Sequence, residues 1–208
     1  MVLHNYFIWE VCRDMVDKKT GKETFVMQGA STGKTLHDFW SWAYSDIINN
    51  TERGKLAEFI VASALDVTDK ISPTWDSFDL EFMGMGIEVK SAAYLQSWYQ
   101  EKDSYIAFGM PRSTAWDATT GKYAKEQKRQ ADVYVFCLLA HKDKQTLNPL
   151  DLEQWEFYIV ATSILNALAP TLKKVSLSFL KKNDIAPCSY NEIRSQVERA
   201  IASHGEVF

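Results

Sequence analysis

The sequence predicts a mixed α/β domain, an expectation carried by three observations. Apolar residues recur at helical spacing in two stretches between residues 34 and 65. The runs Ala131 to Leu139 and Trp155 to Thr162 are strongly β-prone, and the first is long enough for a buried central strand. Between them in function, though not in order, stands a hairpin signature: Asp79-Leu80-Glu81-Phe82, the glycine-bearing reversal Met83-Gly84-Met85-Gly86, and Ile87-Glu88-Val89-Lys90.

From the amino terminus, Tyr6 to Cys12 and Thr24 to Gln28 read as an N-terminal β-hairpin about the polar Asp17-Lys18-Lys19-Thr20-Gly21-Lys22. Gly29-Ala30-Ser31-Thr32-Gly33-Lys34-Thr35 invites a phosphate-loop reading. Its glycines enclose three residues where such a loop needs four, so a flexible turn before a helix is expected instead. That helix runs from Lys34 to Asn49 with Leu36, Phe39, Trp40, Ala43 and Ile47 on one face. A second runs from Glu52 to about Leu65, capped by Thr51, with Leu56, Phe59, Ile60 and Ala64 as its core stripe. Downstream of the central hairpin, Ser104 to Phe108 reads as a short strand and Pro111 to Gly121 as a surface loop. Tyr123 to Gln130 is a basic stretch with Lys125 and Arg129 on one helix face. Ser189 and Glu192 have capping-box spacing ahead of a last helix with Ile193, Val197, Ala200 and Ile201 as its stripe.

With 208 residues, 46% of them hydrophobic, the chain can bury a full core as one domain, 1–208. Within it, 1–50 holds the hairpin and first helix, 51–140 the core, and 141–208 a strand and terminal helices. Cys12, Cys137 and Cys188 are odd in number and far apart, which argues against a disulfide framework or a cysteine metal cluster. No leader pattern or membrane-length apolar run is read, so a cytoplasmic protein with no membrane partner is expected. A net charge of −4 excludes nonspecific coating of nucleic acid by a globally basic surface. It leaves room for a local basic patch, and the densest is Lys122, Lys125, Lys128 and Arg129.

The central hairpin carries the chemistry. Side chains alternate faces along a strand, so Glu88 and Lys90 share a face while Ile87 and Val89 turn to a core. Asp79 and Glu81 share a face of the preceding strand, opposite Leu80 and Phe82, and the reversal brings Asp79 near Glu88 and Lys90. Neighbouring carboxylates repel and are relieved by a hard divalent cation, for which Mg2+ is the best fit, with Mn2+ as a substitute. The lysine supplies a compact positive charge for a phosphorane-like transition state. Glu58 lies in the apolar run Ala57 to Ala64, where a buried carboxylate is costly unless paired or metal-bound.

A helix bearing Glu58, then Asp79, a glycine turn and Glu88-Val89-Lys90 resembles the PD-(D/E)XK nuclease superfamily, over roughly residues 52 to 140. The resemblance implies a restriction-endonuclease-like core: a mixed central sheet flanked by helices. It implies that Asp79 and Glu88 are metal ligands, Lys90 the catalytic lysine, Glu58 an auxiliary acid and metal contact, and Gln96 a further active-site residue. The literal Pro-Asp pair of that superfamily is absent; Asp79 is chosen by register, with Asp76 as fallback. The expected activity is Mg2+-dependent hydrolysis of DNA phosphodiester bonds by an endonuclease of restriction, defence or repair type. A homodimer is expected where both strands are cut. The alternative is a catalytically inactive nucleic-acid-binding or partner-binding protein on the same fold.

Overall fold

The computed structural model describes residues 17–72, 77–117 and 122–205. The described residues divide into two compact units: 17–46 with 116–117 and 122–124, and 47–72 and 77–115 with 125–205.

In the first unit, β1 (Thr24–Met27) pairs antiparallel with β2 (Ala30–Thr35). Gln28 and Gly29 join them, both at positive φ, as a two-residue hairpin turn with the native twist requires. Helix α1 (Leu36–Tyr44) follows directly. Thr35 caps it reciprocally: its hydroxyl accepts from the Asp38 N–H, and the Asp38 carboxylate accepts from the Thr35 N–H at 2.7 Å.

The second unit is built on a five-stranded mixed sheet in the order β11-β9-β8-β4-β3. These strands are β3 (Leu80–Phe82), β4 (Met85–Ala93), β8 (Val133–Leu139), β9 (Trp155–Ala161) and β11 (Pro187–Cys188). Strands β4 and β8 are parallel; the other pairings are antiparallel. Strand β8 is buried along its full length, as a central strand with both faces covered must be. On one face, α2 (Asn50–Leu65) and α5 (Ile193–Gly205) deliver Ala57, Ile60, Val61 and Leu65 and Ile193, Val197 and Ala200 onto Ile87, Val89, Val133, Val135 and Phe157. The other face of the sheet carries Tyr134, Phe136, Leu138, Tyr158 and Val160. They pack with residues of three further elements: the two-stranded ladder of β5 (Ala107–Gly109) and β10 (Lys174–Ser176), and helices α3 (Thr162–Leu168) and α4 (Leu177–Lys182). Strands β6 (Ser113–Asp117) and β7 (Lys122–Lys128) form a separate two-stranded sheet.

The mixed sheet, its helices and an N-terminal hairpin are as expected, but several elements differ. The hairpin is β1–β2, so the segment read as a flexible turn, Gly29 to Thr35, is mostly strand; Tyr6 to Cys12 lies outside the described residues. The first helix ends at Tyr44 rather than Asn49, and the Asn49 carboxamide instead caps α2, accepting from the N–H groups of Thr51 and Glu52. That cap displaces Thr51, and the buried stripe of α2 is rotated: Phe59 is 60% exposed while Ala57 and Val61 are fully buried. The loop and basic helix expected over 111–130 contain the β6–β7 pair instead. Lys125 is exposed on β7 while Arg129 follows the end of that strand and is buried, so the two do not share the helix face expected of them.

The β3–β4 turn uses Met83 and Gly84, both at positive φ. Gly86 has another role. A Cβ there would lie 2.5 Å from the Phe78 ring, so the missing side chain makes room for an aromatic group. Gly86→Ala is therefore expected to destabilise the protein by about 1–3 kcal/mol, the usual cost of overpacking, measurable by urea denaturation.

Candidate active site

Strands β3 and β4 are in the register Leu80↔Ile87 and Phe82↔Met85, which buries Leu80 and Phe82 together with Ile87 and Val89 and exposes Glu81. Asp79 stands just before β3. Its N–H donates to the Ile87 carbonyl at 3.0 Å, and its carboxylate Oδ2 accepts from the Val89 N–H at 2.8 Å. The side chain thus takes an acceptor position on the edge of β4, at the residue between Glu88 and Lys90. Asp79 is brought to the Glu-x-Lys segment; Asp76 lies outside the described residues.

Glu88 and Lys90 form an ion pair and share the face of β4 that meets Tyr134 and Phe136 in register on β8. Both remain partly open to solvent, with side chains 20% and 32% exposed. Burial pushes the Glu88 carboxyl above its ordinary value, and the negative charges of Asp79 and Glu58 push it further, against the opposing pull of Lys90. Tyr134, opposite Glu88, is raised to about 12 by its own burial and by the Glu88 charge.

Glu58 projects from α2 with its side chain 17% exposed, paired with Lys55 and accepting from the Ser72 hydroxyl at 3.3 Å. Burial and the Asp79 charge raise its pKa, opposed by Lys55. The Asp79 charge thus reaches Glu58 on the helix and Glu88 on the strand, and that of Glu58 reaches Glu88. Among the described residues, no three His, Cys, Asp or Glu side chains form a ready-made metal cage. Asp79 and Glu88 are brought to one segment of β4, where the Asp79 charge helps raise the Glu88 carboxyl.

The raised carboxyls have a pH consequence. A carboxyl whose pKa is higher folded than unfolded contributes stability that is fully present below its unfolded value, near 4.5, and lost as pH rises through the folded value. In a chelator, a Glu58→Gln/Glu88→Gln double variant is expected to lose less stability than the parent between pH 4.5 and 8. Thermal midpoints of the two proteins across that range read the difference.

Gln96 is buried and engaged elsewhere. Its Oε1 accepts from Arg53 at 3.2 Å, and its Nε2 donates to the Ala93 carbonyl at 3.0 Å and the Ser104 hydroxyl at 3.2 Å. Arg53, 3% exposed, was not picked out by sequence reasoning. The signal was its position one helical turn before Ala57, on the stripe that continues through Ile60 and Val61. Of the basic patch, Arg129 is also buried: its guanidinium donates to the carbonyls of Met110, Ala169 and Leu172 and to the Asn166 side chain. These bonds tie together the segments beneath the sheet and turn the group away from solvent, so Arg129 is a structural residue and not the phosphate contact expected.

A sheet edge bearing mutually repelling acids and an adjacent lysine is suited to the hydrolysis of phosphodiester bonds. A family profile described as Bacteriophage T4 endonuclease IV matches residues 12–169, and the chain belongs to that family. Membership implies a DNA endonuclease. No curated protein matches the sequence. Among the described residues, no helix is long and apolar enough to cross a membrane.

Proposed function

We propose that the chain is a Mg2+-dependent DNA endonuclease with a PD-(D/E)XK-type centre, formed by Asp79, Glu88 and Lys90 with Glu58 as auxiliary acid. The observation that carries this reading is the bond from the Val89 N–H to the Asp79 carboxylate, which places that acid beside the residue separating Glu88 from Lys90. Asp79 and Glu88, with Glu58 in support, would hold the cation, and the raised Glu58 and Glu88 pKa values are the strain that a divalent charge relieves. When bound, Mg2+ supplies positive charge against the phosphate and makes the attacking water more acidic.

The protein's own groups do the rest. Water attacks phosphorus and releases a proton to solvent, the bond to the leaving sugar oxygen breaks and that oxygen takes a proton from solvent, and in the transition state negative charge gathers on the phosphoryl oxygens. The Lys90 ammonium, part-exposed at the strand face, stabilises that charge and helps orient the water. Glu58 sets the local potential from the helix side. Exposed Lys125 and Lys128 are available to DNA phosphates; Lys122 completes the same strand. Where both strands are cut together at one locus, a homodimer would supply the two centres.

Thermal denaturation with and without metal tests this reading. Mn2+ or Mg2+ at millimolar concentration should raise the midpoint of the parent and leave an Asp79→Asn/Glu88→Gln variant unmoved. Equal shifts in both proteins, or none in the parent, would remove the metal centre from the proposal.

A further inference from the structure

We infer that Arg53 is a positioning residue for this centre: acting through Ser91 and Gln96, its guanidinium fixes the helix that carries Glu58 against the strand that carries Glu88 and Lys90. The inference rests on the nuclease reading above and adds to it a residue that touches neither substrate nor metal.

Arg53 lies in the second turn of α2, five residues before Glu58. Its Nε donates to the Ser91 hydroxyl at 3.2 Å, and Ser91 follows Lys90 on β4. One Nη1 bond reaches Gln96 at 3.2 Å, just beyond the end of β4, and a second reaches the Ile48 carbonyl at 2.7 Å; Nη2 donates to Asn50 Oδ1 at 2.6 Å. One planar group therefore joins the start of the helix to the last third of the strand and to the segment just beyond it. Gln96 is held in turn by Ala93 and Ser104, so its carbonyl is turned toward the guanidinium.

The choice of residue is costly for stability alone. A guanidinium buried without a described carboxylate partner loses hydration that neutral acceptors restore only in part. Burial accordingly pulls its pKa below the ordinary arginine value. An apolar side chain would pack the same helix on the same sheet, but would not set direction. The fork of an arginine bonds in several fixed directions at once, which a lysine cannot do. Because α2 is a continuous helix, an anchor at Arg53 is carried along it to Glu58. Misplacing catalytic groups by about 1 Å can cost on the order of a hundredfold in rate, so such an anchor acts on chemistry even from outside the pocket.

The test compares the parent protein with Arg53→Lys and Ser91→Ala, each checked for folding by circular dichroism. The readouts are kcat and KM on a DNA substrate, and Mn2+ affinity by calorimetry without DNA. For Arg53→Lys, kcat should fall about tenfold or more with KM within about threefold, and Mn2+ should bind more weakly. Ser91→Ala, which removes one bond, should shift kcat and Mn2+ affinity in the same direction by less. Should Arg53→Lys fail to fold, Ser91→Ala decides. Folded variants with the parent's kcat and Mn2+ affinity, even if less heat-stable, would make Arg53 merely structural. A parent that neither binds Mn2+ nor cleaves DNA overturns the nuclease reading and this inference with it. Failure of the inference alone shows as an active, metal-binding parent that its variants equal.

Discussion

Lys90→Ala is expected to lower the rate of DNA cleavage by about 10²–10³-fold, the scale seen when a group that stabilises transition-state charge is removed. Stability should hardly change. The ion pair it breaks, with Glu88, is partly solvated at both ends, and such pairs contribute at most about 1 kcal/mol. Burial and neighbouring acids already raise the Glu88 carboxyl, so on losing its lysine it can take up a proton at lower cost than an ordinary glutamate. Single-turnover cleavage, run beside a thermal melt of the same preparation, separates the two effects. A variant that melts with the parent and cleaves at the parent's rate would remove Lys90 from the chemistry and leave the sheet-edge acids without their cationic partner in catalysis.

The largest loss of stability is expected from Arg129→Ala. Three backbone carbonyls, those of Met110, Ala169 and Leu172, accept from this one guanidinium, as does Asn166. An acceptor left buried without a donor costs about 1–3 kcal/mol, so the variant should lose on the order of 3–5 kcal/mol after local relaxation. Urea denaturation measures this directly. Arg129→Lys should recover only part, since one ammonium cannot reach acceptors spread across the fork. A loss below about 1 kcal/mol would show that water replaces the guanidinium freely, contrary to its 4% exposure.

These two residues show what a sequence discloses and what it conceals. The faces of β3 and β4 were legible because one side is apolar where the two strands pair and just beyond: Leu80, Phe82, Ile87 and Val89 are all buried. The same is true of β8, whose unbroken apolar run suits a strand covered on both sides, and of the Ser189–Glu192 capping box before α5. Strands β6 and β7 were not legible. The described side chains of β7 are exposed on both faces, so no apolar alternation marks the strand, and its lysines read as a solvated helix. Arg129 and Arg53 were concealed for a different reason. A buried arginine is identified by its acceptors, most of which here are carbonyls and amides distant in sequence, and no local pattern announces them. Within the candidate centre, the grouping of Asp79 with Glu88 and Lys90 followed from strand alternation. The engagement of Gln96 with Arg53 depended on how a helix packs over a sheet.

The hydrogen bond from Val89 to the Asp79 carboxylate also bears on how the protein can evolve. Because the side chain serves as a backbone acceptor at the edge of β4, the proposed centre would put selection for folding and selection for activity on the same carboxylate. A descendant that had abandoned chemistry could shed Lys90 freely, yet would still gain from keeping an Asp or Asn at position 79. Loss of activity in this lineage should therefore be recorded first at the lysine and last at the aspartate.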